Sequence, residues 1–425
     1  MRRSTSTSLD LQAEKAVPNL TARFHSRLDE IVAAQWSSLL PADNPFLDHV
    51  FLSGLEEHGC LDPAHGWTPH HLGLYQGDAL VAASPLYLKT NSHGEYVFDW
   101  SWAHAYARNR LDYYPKLLCA VPYSPVSGPR LLGDPSLHGK LIDAMQSECE
   151  HLGLSSVHAN FCTLANAGAF ASRNDWLPRF DWQFHWINQG WRGFDDFLDA
   201  LKPKKRKNIR QEREHVRRAG VHCEILHGDE IDDVTWQRIH ALYVLTFDEK
   251  GNYPALTLDF FRHLGNAMPK QVVVVLCKRL LKNPARMQVY SSMVMDDRKD
   301  DDIIAMALLL RSRDTLYGRY WGCREQVAGL HFEACYYQGI DYCIRHGLRR
   351  FEPGAQGEHK LARGFLPAMT RSFHYIADRR FRTAIGDALA REATALHAYR
   401  EELLAHSPYA TYSLPLATGE GAGGG

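Results

Sequence analysis

The chain has 425 residues, 45% hydrophobic and 23% charged, which is the make-up of a globular protein long enough for two domains of ordinary size. A formal net charge of −1 excludes any global attraction to nucleic acid or membrane, so such an attraction has to be local. The longest strongly apolar run, residues 303–310, falls far short of the roughly 20 residues a spanning helix needs, so no stable membrane insertion is expected.

Residues 1–20 are polar and lack the apolar core of a secretory signal; they are expected to be disordered, and the cytoplasm is the expected location. Nine cysteines without a C-x-x-C pair read as buried thiols of a reducing compartment. The first half, from Phe24 to Leu177, opens with two strands in "HHLGLY" and "GDALVAASPLYLKT" around the turn Gln76–Gly77–Asp78. "GEYVFDWSWAHAYARN" (94–109) has period-two character, with Tyr96, Phe98, Trp100 and Trp102 on one side, and reads as sheet. These aromatics read either as ordinary sheet core or as a groove in which rings stack on sugars or bases, with Trp100, Trp102 and Tyr106 the ones expected to be partly exposed in a cleft between the domains. Leu137, Leu141, Met145 and Cys149 recur at fours and predict a helix stopped by Gly153; "SSVHANF" then predicts a strand. The segment 173–186 reads as the crossover between halves.

The second half, from Phe184 to Leu404, gives the same order. "KQVVVVLCK" is a strand and 301–323 a hairpin turning at Ser312–Thr315. "LHFEACYYQGIDYCIRHG" is a helix ended by Gly347, and "LRRFEPGA" is the next strand. "MQVYSSMVMD", within 278–301, reads as a further strand with polar flanks. The tail from 406 to 425 is expected to be flexible. The expected fold is mixed α/β, with much antiparallel pairing and helices on the sheets.

Two motifs carry chemistry. "FEPGAQGEHKLARGFLP" (351–367) leaves the end of a strand, where α/β folds bind ligands. Gly354, Gly357 and Lys360 are spaced G-x-x-G-x-x-K, not as a nucleotide-hydrolysing phosphate loop. With Glu358 and Arg363 they read either as a grip on a carboxylate or phosphate or as a glycine-bearing turn with solvated charges. "KPKKRKNIRQEREHVRRAG" (202–220) predicts a helix over 203–219, with Pro203 in its first turn and Gly220 at its stop. Between Lys202 and Arg218 nine Lys/Arg stand against two Glu, and only Ile209 and Val216 form an apolar seam. Lys204, Lys205, Arg206, Asn208 and Arg210 therefore face either plain solvent or phosphates. No metal is expected, because no histidine has ligand spacing to cysteine or carboxylate.

Taken in order, "FDWSWAHAY", "YYPKLLCAVPYSPVSGPRLL", "KPKKRKNIRQERE", "LHFEACYYQGIDYCIRHGL" and "FEPGAQGEHKLARGFLPAMTRSFHYI" resemble the predicted N-acyltransferases of the peptidoglycan biosynthesis/recognition family. These are similar to the Fem-type aminoacyltransferases of the GNAT superfamily. The resemblance implies two GNAT-like domains in tandem, 21–180 and 181–405. It also implies N-acyl or aminoacyl transfer to an amine on a small molecule or cell-wall precursor, with acyl-CoA or aminoacyl-tRNA as co-substrate, tRNA as a partner, and no tightly bound cofactor. "REQVAGLHFE" departs from the GNAT pyrophosphate motif: Gln326 and Gly329 fit, but His331 stands where a small residue is expected. Acyl transfer to an amine needs a base and donors for the oxyanion. Glu333, His331, Glu352, Glu358 and His359 are the candidate bases, and Tyr336 is a neighbouring substrate contact. The rival readings are a non-catalytic protein that binds cell-wall precursor or RNA through the basic helix, and plain acetyl-CoA-dependent N-acetylation. The sequence sets no oligomeric state.

Overall fold

The computed structural model describes residues 20–41, 43–249, 251–279, 302–355 and 357–410. In chain order the strands are β1 (Leu20–His25), β2 (Trp67–Pro69), β3 (His71–Gln76), β4 (Ala79–Ser84), β5 (Leu86–Lys89), β6 (Lys116–Cys119), β7 (Leu132–Gly133), β8 (Ser156–Ala159) and β9 (Trp176–Ile187). There follow β10 (Val221–His227), β11 (Val272–Arg279), β12 (Asp302–Arg311), β13 (Thr315–Cys323), β14 (Arg350–Glu352) and β15 (Leu366–Ile376). A four-stranded sheet has the order β1-β3-β4-β7. An eleven-stranded sheet runs β10-β11-β12-β13-β14-β9-β15-β8-β6-β5-β2 through both halves.

Each half contains one parallel pair joined by a crossover helix. Helix His138–His151 links β6 to β8. A helix that starts at Leu330–Phe332, passes through a π-helical turn at Glu333–Tyr337 and ends as Gln338–Arg345 links β13 to β14. The two halves exchange their last strands. β9, from the first half, pairs with β14, while β15, from the second half, pairs with β8 and lies along β9 from Leu366↔His185 to Tyr375↔Trp176. The result is two units, each with a parallel strand pair and its crossover helix, joined through the eleven-stranded mixed sheet and flanked by helices. The core follows the same logic: Leu28, Trp36 and Phe51 from the first half pack in one cluster with Trp236, Phe260 and Leu264 from the second.

Several expectations need correcting. Residues 173–186 are not a crossover but most of the long central strand β9, so a boundary at 180 falls inside a strand. Trp100–Arg108 is a helix, not sheet. Trp102 and Tyr106, four apart on one helical face, are buried with Tyr113, Ile376 and Ile385, so they are core and line no cleft. The tail is docked as far as it is described: Lys202 N–H donates to Pro408 O at 2.8 Å, and the Tyr409 hydroxyl donates to Gly364 O at 2.7 Å. The expected disordered residues 1–19 and the expected strand in "MQVYSSMVMD" lie outside the described residues. Among the described residues no helix is long and apolar enough to cross a membrane.

Gly322, in β13, lets the helix Asp233–Asp248 approach closely: a Cβ there would lie 2.2 Å from the Leu242 carbonyl oxygen. Gly322→Ala is expected to lower unfolding free energy by about 1–3 kcal/mol, as overpacking does. Gly168→Ala, at an exposed helical position with nothing within 4 Å, is expected to raise it by about 0.5–1 kcal/mol. Urea denaturation of the two variants beside wild type checks both.

Candidate functional site

The site begins where β13 and β14 part. They pair at Thr315↔Arg350, Leu316↔Phe351 and Tyr317↔Glu352, then diverge at Gly318 and Pro353. On the other side of β13 the register to β12 jumps from Leu309↔Gly318 to Leu308↔Tyr320, so Arg319 is an unpaired bulge residue. A cavity of about 250 Å³ opens at this divergence. The bulge segment Gly318–Trp321 forms one wall, His331, Cys335 and Tyr336 from the π-turn region a second, and Pro353–Ala355, His359 and Lys360 a third. A π-helical turn of this kind shifts side chains out of helical register, and such turns recur at functional sites.

Lys360 is the chemical centre of this cavity. It is 2% exposed, its Nζ donates to Gly354 O at 2.8 Å, and desolvation lowers its pKa to about 8. His359 shares a 2.9 Å hydrogen bond between Nε2 and the Tyr336 hydroxyl. Burial, then the positive charges of Arg363 and Lys360, hold its pKa below the ordinary histidine value, which favours the neutral ring. Burial drives the Tyr336 phenol and the Cys335 thiol upward, so both stay protonated. His331 faces the same cavity, its ring 5.4 Å from both Trp321 and Tyr336. Gly354 and Gly357 have φ of 98° and 115°, values that favour glycine. A Cβ on Gly357 would also lie 2.4 Å from the His359 ring.

Other expected site residues lie elsewhere. Glu333 points away from this cavity, in a bidentate pair with Arg213 (3.0 and 3.1 Å), and also accepts from Gln338. Its carboxylate is committed, and the expectation of a base in this cavity does not hold for it. Glu352 is 3% exposed on the opposite face of β14 from Phe351, 3.0 Å from Arg350; burial raises its pKa. It lines none of the cavities described here. Arg363 does not line this cavity. Its guanidinium lies on the Phe332 ring and donates to Glu212, Tyr337 and His359 O, tying the loop to the basic helix. Glu358 accepts from Tyr399 and, with Gly357, lines an adjoining cavity of about 220 Å³. Trp100 is 38% exposed, edge-on to His93.

The basic helix is Pro203–Arg218, with only Ile209 and Val216 buried. Much of its charge is matched internally: Arg206 with Asp199, Arg210 with Asp195, Arg213 with Glu333, and Arg217 and Arg218 with Glu214. Lys204, Lys205 and Asn208 stand at its N-terminal end with Lys207. The helix also covers the start of the crossover helix: a Cβ on Gly329 would meet the Glu212 carbonyl oxygen at 2.8 Å. Arg130 is fully buried beyond the parallel pair β6–β8, donating to Asn160 O at 2.7 Å and Val126 O at 2.7 Å. Among the described residues no three His, Cys, Asp or Glu side chains converge as a metal site.

The model of the FemAB-like family, described as peptidoglycan biosynthesis/recognition, matches residues 27–288 and 282–411. The chain belongs to this FemAB-like family. Among solved structures it is similar to FemX, at 12% identity and a TM-score of 0.48, covering 86% of this chain and 100% of that one. It is also similar to a tandem GNAT protein from the clavulanic acid biosynthesis pathway, at 12% identity and a TM-score of 0.42, covering 85% and 99%. A third is the C-terminal domain of a putative lysylphosphatidylglycerol synthetase from Agrobacterium fabrum, at 10% identity and a TM-score of 0.46, covering 84% and 95%. No curated protein matches the chain.

The residues that sequence reasoning missed in this FemAB-like chain are Gly318–Trp321 and Pro353. The signal was present: two glycines, Gly318 and Gly322, inside a strand mark a bulge or a close approach. The lowered pKa of Lys360 has a measurable consequence. The folded state binds its proton less well than the unfolded chain, so the cost of burying the charge is full below about pH 8 and disappears towards the ordinary lysine value. Lys360→Met is expected to be more stable than wild type at pH 7, by up to about 3 kcal/mol. That difference should vanish as pH rises through this window, as followed by urea denaturation at several pH values.

Proposed function

We propose that the protein is an N-acyltransferase of the Fem type, transferring an aminoacyl or acyl group to an amine at the parting of β13 and β14. The observation that carries this reading is the small desolvated cavity that brings a buried lysine, a neutral histidine and a bulged strand together. Membership of the FemAB-like family supports the transferase class and an acceptor related to peptidoglycan precursors.

The chemistry follows from the groups present. The acceptor amine attacks the activated carbonyl, forming the C–N bond and placing negative charge on the carbonyl oxygen. Lys360, protonated below about pH 8, and the unpaired backbone of the bulge at Arg319 are donors for that oxyanion. His359, held by Tyr336, takes the amine proton. Collapse then breaks the bond to the leaving oxygen or sulfur, which receives the proton.

The donor reading favours aminoacyl-tRNA. In a GNAT enzyme that uses CoA, the diphosphate docks at the start of the crossover helix, but here the Glu212 backbone closes on Gly329 and His331 adds a side chain. Lys204, Lys205 and Lys207 offer a local phosphate contact instead.

Transfer from labelled aminoacyl-tRNA or acetyl-CoA to a panel of cell-wall precursor amines is the test. Lys360→Ala and His359→Ala are each expected to lower kcat by about 10²-fold or more, with KM for the donor little changed. Neutralising Lys204, Lys205 and Lys207 together is expected to raise KM for the tRNA donor and flatten its salt dependence, leaving kcat intact. Undiminished turnover in both single variants would remove the assignment, and exclusive use of acetyl-CoA would overturn the donor reading.

A further inference from the structure

A second, aromatic hollow takes no part in the mechanism above. A cavity of about 590 Å³ lies between the halves, and it adjoins the reaction cavity through Tyr320, which lines both. We infer that this cavity is the acceptor subsite and that it takes an amine carried on an uncharged ring, held by stacking. The inference rests on the transferase reading above and adds the chemical class of the acceptor.

Three observations carry it. The first is composition. Among the described residues no Asp, Glu, Lys or Arg lines the cavity, whereas Tyr96, Phe98, Tyr123, Tyr243, Tyr253 and Tyr320 all do. A phosphate or carboxylate placed there would lose water and meet no Lys or Arg among the described residues, only the rings of His65 and His93. A flat ring gains a stacking surface at every wall. The size is that of a cavity for a small organic ligand.

The second is exposure. Tyr253 is 51% and Phe98 48% exposed at this cavity, so two large apolar rings face water unless something covers them. Tyr253 is already presented flat, stacked on His65 at 3.7 Å and 7°.

The third is backbone strain. Among the described residues other than glycine, four have a left-handed φ: Tyr96 (60°), Arg110 (57°), Tyr123 (53°) and Phe161 (57°). Tyr96 and Tyr123 line this cavity, and Tyr96 also lines the adjoining one with Phe161. Bulky residues are rarely found there, and such residues gather where a ligand is clamped. Gly94 makes room for the Tyr123 ring, since a Cβ on it would lie 2.6 Å from Tyr123 Cδ1. Tyr123 O in turn accepts from the Tyr320 hydroxyl at 3.2 Å, linking this wall to the reaction cavity.

The shared chemistry, a ring with a flat uncharged face bearing an amine, is met by an amino sugar and by an aromatic amine. The full-length protein should be titrated calorimetrically with methyl β-glucosaminide, with tyramine, and with glutamate as an anionic amine. The variants are Tyr253→Ala, Tyr253→Phe and, as an exposed apolar residue outside the cavity, Leu152→Ala. At least one ring amine is expected to bind saturably, about tenfold more weakly in Tyr253→Ala and within about twofold of wild type in Tyr253→Phe and Leu152→Ala. Which of the two binds identifies the source. No saturation by either ring amine up to about 20 mM, equal weakening by Leu152→Ala, or preference for glutamate would each overturn the inference. Ring binding is read without a donor, so its failure alongside intact Lys360-dependent transfer removes the acceptor class alone. Ring binding without any transfer removes the transferase reading alone.

Discussion

The rest of the molecule depends on one backbone event: two parallel strands that pair for three residues and then separate. Two residues mark the point where they part. Pro353 has no N–H to continue the ladder, and Gly318 allows the strands to cross so closely that a Cβ would lie 3.2 Å from Pro353 Cα. The bulge at Arg319 then turns β13 away, with its guanidinium held by Tyr123 O and Ser124 in the other half. The gap would be filled by core side chains were it not for the π-helical turn, which sets Cys335 and Tyr336 at its edge. A lysine in such a gap is desolvated by its surroundings, and its lowered pKa follows from the geometry.

The first half has its own parallel pair, β6–β8, with its own crossover helix. There the fully buried Arg130 donates to the carbonyls of Asn160, Pro129 and Val126. The exchange of β9 and β15 locks the two units together, so the first half serves as a wall for the open site of the second. Arg319, Tyr320 and Tyr123 meet across that boundary.

What the sequence made readable was local. The hairpin of β12 and β13, the helix ended by Gly347, and the need for glycine at 354 and 357 all follow from spacing and turn chemistry, and the structure has each of them. The aromatic stretch misled because Trp100 and Trp102 satisfy a period of two while Trp102 and Tyr106 satisfy a helical spacing of four; the fold chose the second, burying that pair. The fates of Glu333 and Arg363 could not be read from spacing, because their partners Arg213 and Glu212 lie more than 100 residues away on the basic helix. The exchange of strands between halves is likewise a long-range fact, invisible to any window of sequence.

At the parting of β13 and β14 a buried, desolvated lysine lines the cavity where an activated acyl group is received. Reaction of the native protein with a small activated acyl ester, followed by peptide mapping across pH, tests it most directly. The account predicts that Lys360 is acylated ahead of the exposed lysines of the basic helix, with an inflection near the value of about 8 that desolvation gives it. Labelling confined to exposed lysines such as Lys204, rising only toward the ordinary lysine value, would contradict it.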